Sequence, residues 1–321
     1  MITLKVIFFF SLFMIFYVYL GYPALVFLAA AIKNKKVKKG LYEPPITILI
    51  AAYNEENNIE ETLKNKLSLD YSNEKLEIIV ISDGSTDKTD EIVKQYEQRG
   101  VKLIRQAPRA GKTSALNMAV PKAKGEILVF SDANSLYESD SLTRLMQNFK
   151  DPDVGYVTGK MIYTNPDGTP IGDGCTAYMK YENFLRQHET KIGSIVGVDG
   201  GIDAVRKDLY QPMNSDQLPD FVLPLKVAEQ GYRVVYEPEA ILKEASLKSS
   251  KDEYKMRVRV SLRALWALWD MRHLIAVKAP KFFAWELFSH KWLRYLSFIF
   301  LIGLYLSNLY LWNQGLYVIA R

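Results

Sequence analysis

Cysteine is almost missing from these 321 residues. Cys175 stands alone, so no disulfide can form within the chain, which fits a reducing compartment. Histidine is nearly as scarce: His188, His273 and His290 lie far apart, and with a single cysteine they speak against a structural zinc site. A strong charge of one sign is missing too. The net charge of +5 is modest and its lysines are locally clustered, so no nucleic-acid partner is expected. Charge is absent above all from the start of the chain, where Lys5 is the only ionic residue between Ile2 and Ile32.

That uncharged run is long enough to cross about 30 Å of hydrocarbon as a tilted helix. It is too long for a cleaved signal, and no clean cleavage site follows it. Lys33, Lys35, Lys36, Lys38 and Lys39 come next. Such a cluster beside a span marks the cytoplasmic side and suits anionic lipid. Leu293 to Trp312 is a second apolar stretch, with Lys291 and Arg294 at its start. Pro280 to Trp292 mixes Phe, Trp and Leu with Lys and His, as a helix lying in the membrane interface would. The expected organisation is a transmembrane helix over 1–33, a basic linker over 34–45, a cytosolic domain over 46–270, an interfacial helix over 271–292 and a second transmembrane helix over 293–321. The implied location is a cell membrane, crossed more than once, with membrane lipids as partners.

Between the spans, apolar runs alternate with helical patterns. Ile46 to Ala52, Leu76 to Ser82, Val101 to Ile104 and Glu126 to Ser131 read as strands. Helices are expected over about 58–67, 88–99 and 112–119. This alternation predicts a doubly wound α/β domain with a parallel sheet, whose ligands bind at the carboxyl ends of the strands. Three such ends carry Glu55, Asp83 and Asp132. Asp132 and Asn134 are oxygen ligands suited to a hard cation such as Mg²⁺ or Mn²⁺; an aspartate there also suits a plain helix cap. Arg105, Arg109 and Lys112 supply positive charge beside this acidic rim in a loop that also holds Gly111, fitting a diphosphate. Gly111-Lys112-Thr113 is not a P-loop, because position 106 is Gln106 where that motif needs glycine.

Taken in order, Ala51-Ala52-Tyr53-Asn54-Glu55, Ser82-Asp83-Gly84-Ser85-Thr86-Asp87, Arg109-Ala110-Gly111-Lys112-Thr113-Ser114-Ala115-Leu116-Asn117 and Asp132-Ala133-Asn134 resemble glycosyltransferase family 2. The resemblance runs from Ile46 to about Trp292 and is nearest to the membrane-bound, polysaccharide-synthesising branch. It implies a GT-A fold with a mixed sheet, its nucleotide-binding half over 46–135 and its acceptor half over 136–270. It further implies an inverting transfer from a nucleotide-diphospho-sugar, a UDP-sugar by preference, to a lipid-linked or polysaccharide acceptor. Ala52, Tyr53, Glu55 and Asp83 would meet the nucleoside, Arg109 and Lys112 the diphosphate, and Asp132 with Asn134 the metal. The family's metal motif usually ends in a second aspartate, where this chain has Asn134. Gly200 and Gly201 form a turn that an acceptor sugar could approach. Asp220, just before a helix, takes the place of the family's general base, although an aspartate there also suits an N-cap. Arg259 stands near the place of a processive motif and could reach the diphosphate, but Val260 replaces the expected Trp. Two other readings share parts of this pattern: a sugar nucleotidyltransferase, and a nucleotide-binding membrane scaffold without chemistry.

Overall fold

The computed structural model describes residues 2–164, 170–245, 250–276 and 281–313. One helix runs from Ile2 to Lys33, as α1 (Ile2–Phe16), a π-turn (Tyr17–Gly21) and α2 (Tyr22–Lys33). The central domain follows, with β1 (Ile46–Ala52), α3 (Ile59–Leu67), β2 (Leu76–Asp83), α4 (Thr89–Lys94), β3 (Val101–Gln106), α5 (Lys112–Ala119), β4 (Ile127–Asp132), β5 (Leu136–Tyr137) and α6 (Ser141–Asn148). Its second half holds β6 (Val154–Thr164), α7 (Pro170–Ile192), β7 (Ile202–Arg206), α8 (Pro219–Glu229) and β8 (Arg233–Ala245). The chain closes with α9 (Ser250–Asp270), α10 (His273–Ala276), α11 (Lys281–Glu286), a π-helical segment (Leu287–Trp292), α12 (Leu293–Tyr295) and α13 (Ser297–Asn313).

The eight strands form one sheet in the order β3-β2-β1-β4-β7-β6-β8-β5. The parallel expectation holds for β1 to β4. It fails in the second half, where β7 runs antiparallel to both β4 and β6. The long helix α7 and the Gly200-Gly201 turn deliver β7 to the sheet from the opposite edge, so no β–α–β crossover joins it to β4. The result is a mixed sheet.

Strand alternation fixes the two faces. Ile46, Ile48 and Ile50 join Ile78, Val80 and Val129 beneath α3 and α6, while Leu49, Ile79, Ile81 and Phe130 meet α5, α8, α9 and α11. Each buried aliphatic side chain contributes roughly 1.5–3 kcal/mol. The second face therefore builds Leu268, Phe283 and Leu287 of the late helices into the same core as the sheet.

The Ile2–Lys33 helix is long and apolar enough to cross a membrane. Among the described residues a second candidate appears only as a bent pair, Phe282–Tyr295 and Ser297–Trp312, meeting at 52°. The expected span from Leu293 is thus broken at Leu296, and its straight part is α13. Pro280 and residues 314–321 lie outside the described residues. The basic linker is strapped to the domain, with Lys35 meeting Asp153 and Lys39 the buried Glu237; just before it, Lys33 at the end of α2 lies over the Phe282 ring of α11.

Candidate active site

Register brings the acidic loops together. Ala52 aligns with Ser82 and Ala51 with Asp132, so Tyr53 to Glu55, Asp83 and Asp132 leave the sheet along one edge. The first two loops are knitted to each other. Asn54 N donates to Ser85 Oγ (3.2 Å), Thr86 N to Asn54 Oδ1 (2.9 Å) and Glu55 N to Thr89 Oγ1 (2.8 Å). Asp87 accepts from Thr89 N at 3.0 Å and so ties the second loop to the first residue of α4, whose N-cap is Lys88.

Asp83 is buried and turned towards the basic loop. Its carboxylate accepts from Gln106 Nε2 (2.5 Å), Ala110 N (2.8 Å) and Gly111 N (2.9 Å). Gln106, the residue that breaks the P-loop pattern, therefore helps to clamp the turn that starts α5. Arg109 Nε lies 3.6 Å from the same carboxylate, and its guanidinium stacks 3.6 Å from the Tyr53 ring centroid. Ala52 is buried and can offer a ligand only its backbone.

Lys112 opens α5 and points along the rim. Its ammonium stands 2.7 Å from Asp132 Oδ1 and 3.7 Å from Asp220 Oδ1. Burial disfavours that charge, but Asp132 and Asp220 outweigh burial and hold the ammonium above the ordinary lysine range. The next residues of α5 serve as straps. Thr113 Oγ1 donates to Gln217 O (2.7 Å), and Asn117 bonds Met213 O (2.6 Å), Met213 N (3.2 Å) and the Tyr210 hydroxyl (2.8 Å). They hold the loop that leads into α8.

Asp220 lies in the first turn of α8, but the N-cap is Leu218, so capping is not what the aspartate does. Gly200, at φ +89°, backs onto it: a Cβ there would fall 2.5 Å from Asp220 Oδ2. Glycine is what lets the turn and the carboxylate meet. Behind them Asp203 is buried on β7, and burial with the nearby charge of Asp220 pushes its carboxyl up to about 7. The space enclosed by Lys112, Tyr156, Gly200, Asp203 and Asp220 is about 10 Å³, room for roughly one water.

The Asp132–Asn134 turn is braced from below by α3. Thr62 Oγ1 donates to Ala133 O (2.6 Å), and the fully buried Lys66 ammonium donates to Ser135 O (2.6 Å) over the Tyr137 ring. Asn134 Nδ2 donates to Glu244 Oε1 (3.2 Å), which leaves the amide oxygen of Asn134 for another partner. Burial, then the charge of Asp132, lifts Glu244 to about 7. Among the described residues no three His, Cys, Asp or Glu groups surround a metal position. One carboxylate and one amide oxygen, completed by ligand phosphates and water, still match the way Mg²⁺-type ions are usually held.

Most of the predicted residues thus share one rim: Tyr53, Glu55, Asp83, Arg109, Lys112, Asp132, Asn134, Gly200 and Asp220, with Gly201 behind. Arg259 is not brought there. It is exposed on α9, and no hydrogen bond or ion pair among the described residues ties it to the rim. Sequence reasoning missed Lys66, Asp203 and Glu244. Lys66 falls on the same helical stripe as Ile59, Thr62 and Leu63, and Asp203 interrupts an apolar strand just after Gly200-Gly201; both were readable signals. Lys291 and Arg294, expected to mark the cytosolic side of a span, pair with the buried Glu182.

A profile for glycosyl transferase family 2 matches residues 47–212. A poly-beta-1,6-N-acetyl-D-glucosamine synthase of Staphylococcus aureus is 31% identical over 202 residues, 61% of this chain and 48% of that protein. The chain thus spans about half the length of this curated relative. The structure of a mannosyltransferase from Pyrobaculum calidifontis in complex with GDP-Man and Mn²⁺ superposes with a TM-score of 0.78 and 25% identity, covering 96% of this chain and 86% of the other. Staphylococcus aureus TarS in complex with UDP-GlcNAc shares the fold, with a TM-score of 0.50 and 18% identity over 70% and 66% of the two chains. These likenesses agree with the mixed sheet in identifying a GT-A fold.

Proposed function

The chain belongs to glycosyl transferase family 2, and on that premise we propose an inverting, metal-dependent transfer of a sugar from a nucleotide-diphospho-sugar to a hydroxyl of a lipid-linked or growing glycan. The observation that carries this reading is the single ammonium of Lys112 set between Asp132 and Asp220. It joins the place for a diphosphate to the carboxylate beside the Gly200 turn.

In this reading the nucleoside lies against Ala52, Tyr53 and Glu55, with Asp83 beneath. Arg109 and Lys112 meet the diphosphate and neutralise it as it leaves. Asp132 and Asn134 would hold Mg²⁺ or Mn²⁺, which supplies further charge to the leaving group. Asp220 accepts the proton of the acceptor hydroxyl as that oxygen attacks the anomeric carbon. One displacement, with the nucleophile entering opposite the leaving diphosphate, inverts the configuration. The Gly200-Gly201 turn leaves room for the acceptor sugar beside Asp220.

UDP is the proposed nucleotide, supported by the TarS complex; the GDP-Man complex makes GDP-sugars the comparison to run. The N-terminal helix and α13 would set the domain on the cytosolic face of a membrane, which the lysines after Ile32 support. The test is to incubate membranes containing the chain with labelled UDP- and GDP-sugars and Mn²⁺ or Mg²⁺. Label should enter lipid or polymer from one donor and not with Asp220→Asn. If no donor is either transferred or hydrolysed, the chain is a binding scaffold and this reading fails.

A further inference from the structure

We propose that the cavity between α9, α12 and the π-turn of the N-terminal helix binds a lipid-borne phosphate, the anchor of the acceptor, and so sets the acceptor's hydroxyl beside Asp220. This rests on the reading of the chain as a transferase with a lipid-linked acceptor.

The cavity has a volume of about 300 Å³, at the lower end of the range for small-molecule sites. Arg257, Lys291 and Arg294 enter it from three different elements, Tyr19, Tyr178 and Tyr295 form its aromatic walls, and among the described residues none that lines it is acidic. Lys291 and Arg294 are largely buried and share one carboxylate, Glu182; Arg186 and His290 also approach it at 3.9 and 3.3 Å but pair more closely with Asp199 and Glu189. Tyr178 holds two of the cations by its ring, with Arg257 at 5.7 Å and Arg294 at 5.2 Å from its centroid. For Lys291 and Arg294, two largely buried cations over one carboxylate are costly unless an anion joins them. Arginine forks and an ammonium are the donors that phosphate oxygens call for. The donor's own diphosphate would have Arg109 and Lys112, neither of which lines this cavity.

The level of the cavity points to a lipid. A helix from Ile2 to Lys33 is about 48 Å long, and about 20 residues of it suffice for the hydrocarbon. Its first part runs against α13, whereas Tyr22, Val26 and Ala30 pack on Leu185 and Ile192 of α7. The change of partner falls at the π-turn, where the Tyr19 hydroxyl bonds Ser297 Oγ (3.2 Å) at the start of α13. Tyr19 and Tyr295 thus sit where aromatic side chains meet headgroups. Beside them α9 exposes Tyr254, Val258, Leu262 and Trp266 at four-residue spacing, the face of a helix resting on a membrane.

The cavity is also tied to the chemistry. The Lys291 ammonium fills the space that a side chain at Gly197 would take. Arg186 pins the same loop through Gly197 O (3.1 Å) and Asp199 (2.5 Å). From Gly197 to Gly200, which backs onto Asp220, the chain spans at most about 10 Å. An anchor phosphate at Lys291 and a reactive hydroxyl at Asp220 would lie at the two ends of this loop.

The test uses the full chain in phosphatidylcholine nanodiscs and isothermal titration with decyl phosphate, decanol and inorganic phosphate, with empty nanodiscs as the blank. Decyl phosphate should saturate one site. Arg257→Ala should weaken it about tenfold, Arg257→Lys should recover part of the loss, and decanol and inorganic phosphate should bind at least about tenfold more weakly. The proposal is overturned if Arg257→Ala and Arg294→Lys both bind decyl phosphate like the unmodified chain. Equal binding of decanol would show that no phosphate is read, and equal binding of inorganic phosphate would show that no lipid is. Donor hydrolysis by the unmodified chain is measured in the same nanodiscs. Arginine-dependent decyl phosphate binding without any donor turnover would uphold the cavity and sink the transferase reading instead.

Discussion

The Lys112 ammonium and the Asp132 carboxylate form an ion pair of 2.7 Å at the point where a strand end meets a helix start. Asp132 is the proposed metal ligand and Lys112 a proposed diphosphate cation, so the two functions compete for one carboxylate. Lys112→Met should let Mn²⁺ alone bind about tenfold more tightly, because a neighbouring positive charge is gone. Transfer should fall by about two to three orders of magnitude, since the leaving diphosphate loses a cation. Titration of Mn²⁺ without donor checks the first effect, and unchanged or weaker affinity refutes the competition.

Gly200 and Asp220 test the acceptor side. Gly200→Ala puts a Cβ 2.5 Å from Asp220 Oδ2 and strains a backbone at φ +89°, with a stability cost of about 1 kcal/mol. Turnover should drop while donor KM stays within about twofold. Asp220→Asn should keep donor binding and lose about a hundredfold or more in transfer. Wild-type transfer by Asp220→Asn would remove the aspartate from the mechanism.

Asp203 gives a pH signature. Its carboxyl titrates near 4 in an unfolded chain and at about 7 when folded. Between these values the folded chain keeps a proton that the unfolded chain has released. Its contribution to stability is therefore complete below about pH 4, declines as pH rises to about 7, and is flat above, at up to roughly 1.4 kcal/mol per unit. Asp203→Asn should remove this decline and be the more stable protein at pH 8. Denaturation in detergent across pH 4 to 8 measures it, and parallel curves for the two proteins would contradict the assignment.

Asn117 makes three hydrogen bonds to the loop that precedes α8. Asn117→Ala should cost about 2 kcal/mol through the groups left unpaired. It should also raise the acceptor KM more than the donor KM, because the loosened loop leads into the first turn of α8, where Asp220 stands. Equal effects on both would show that the strap serves stability alone.

How far the sequence went can be read from particular residues. The apolar runs from Ile46, Leu76 and Ile127 fixed three strands, because burial on both faces leaves an unbroken hydrophobic signal. The acidic residues just beyond them fell at one edge, because parallel strands joined by helices must end on the same side. Those rules of period and connection act locally, so they are written in the chain itself. Tertiary structure alone decided the rest. It turned Asp83 under the Arg109–Lys112 loop and ran β7 backwards. It also broke the last apolar stretch at Leu296 and drew Lys291 and Arg294 in towards Glu182. Each of these depends on a partner dozens of residues or more away in sequence, and on a balance between burial and pairing of charge that no window of neighbouring residues contains.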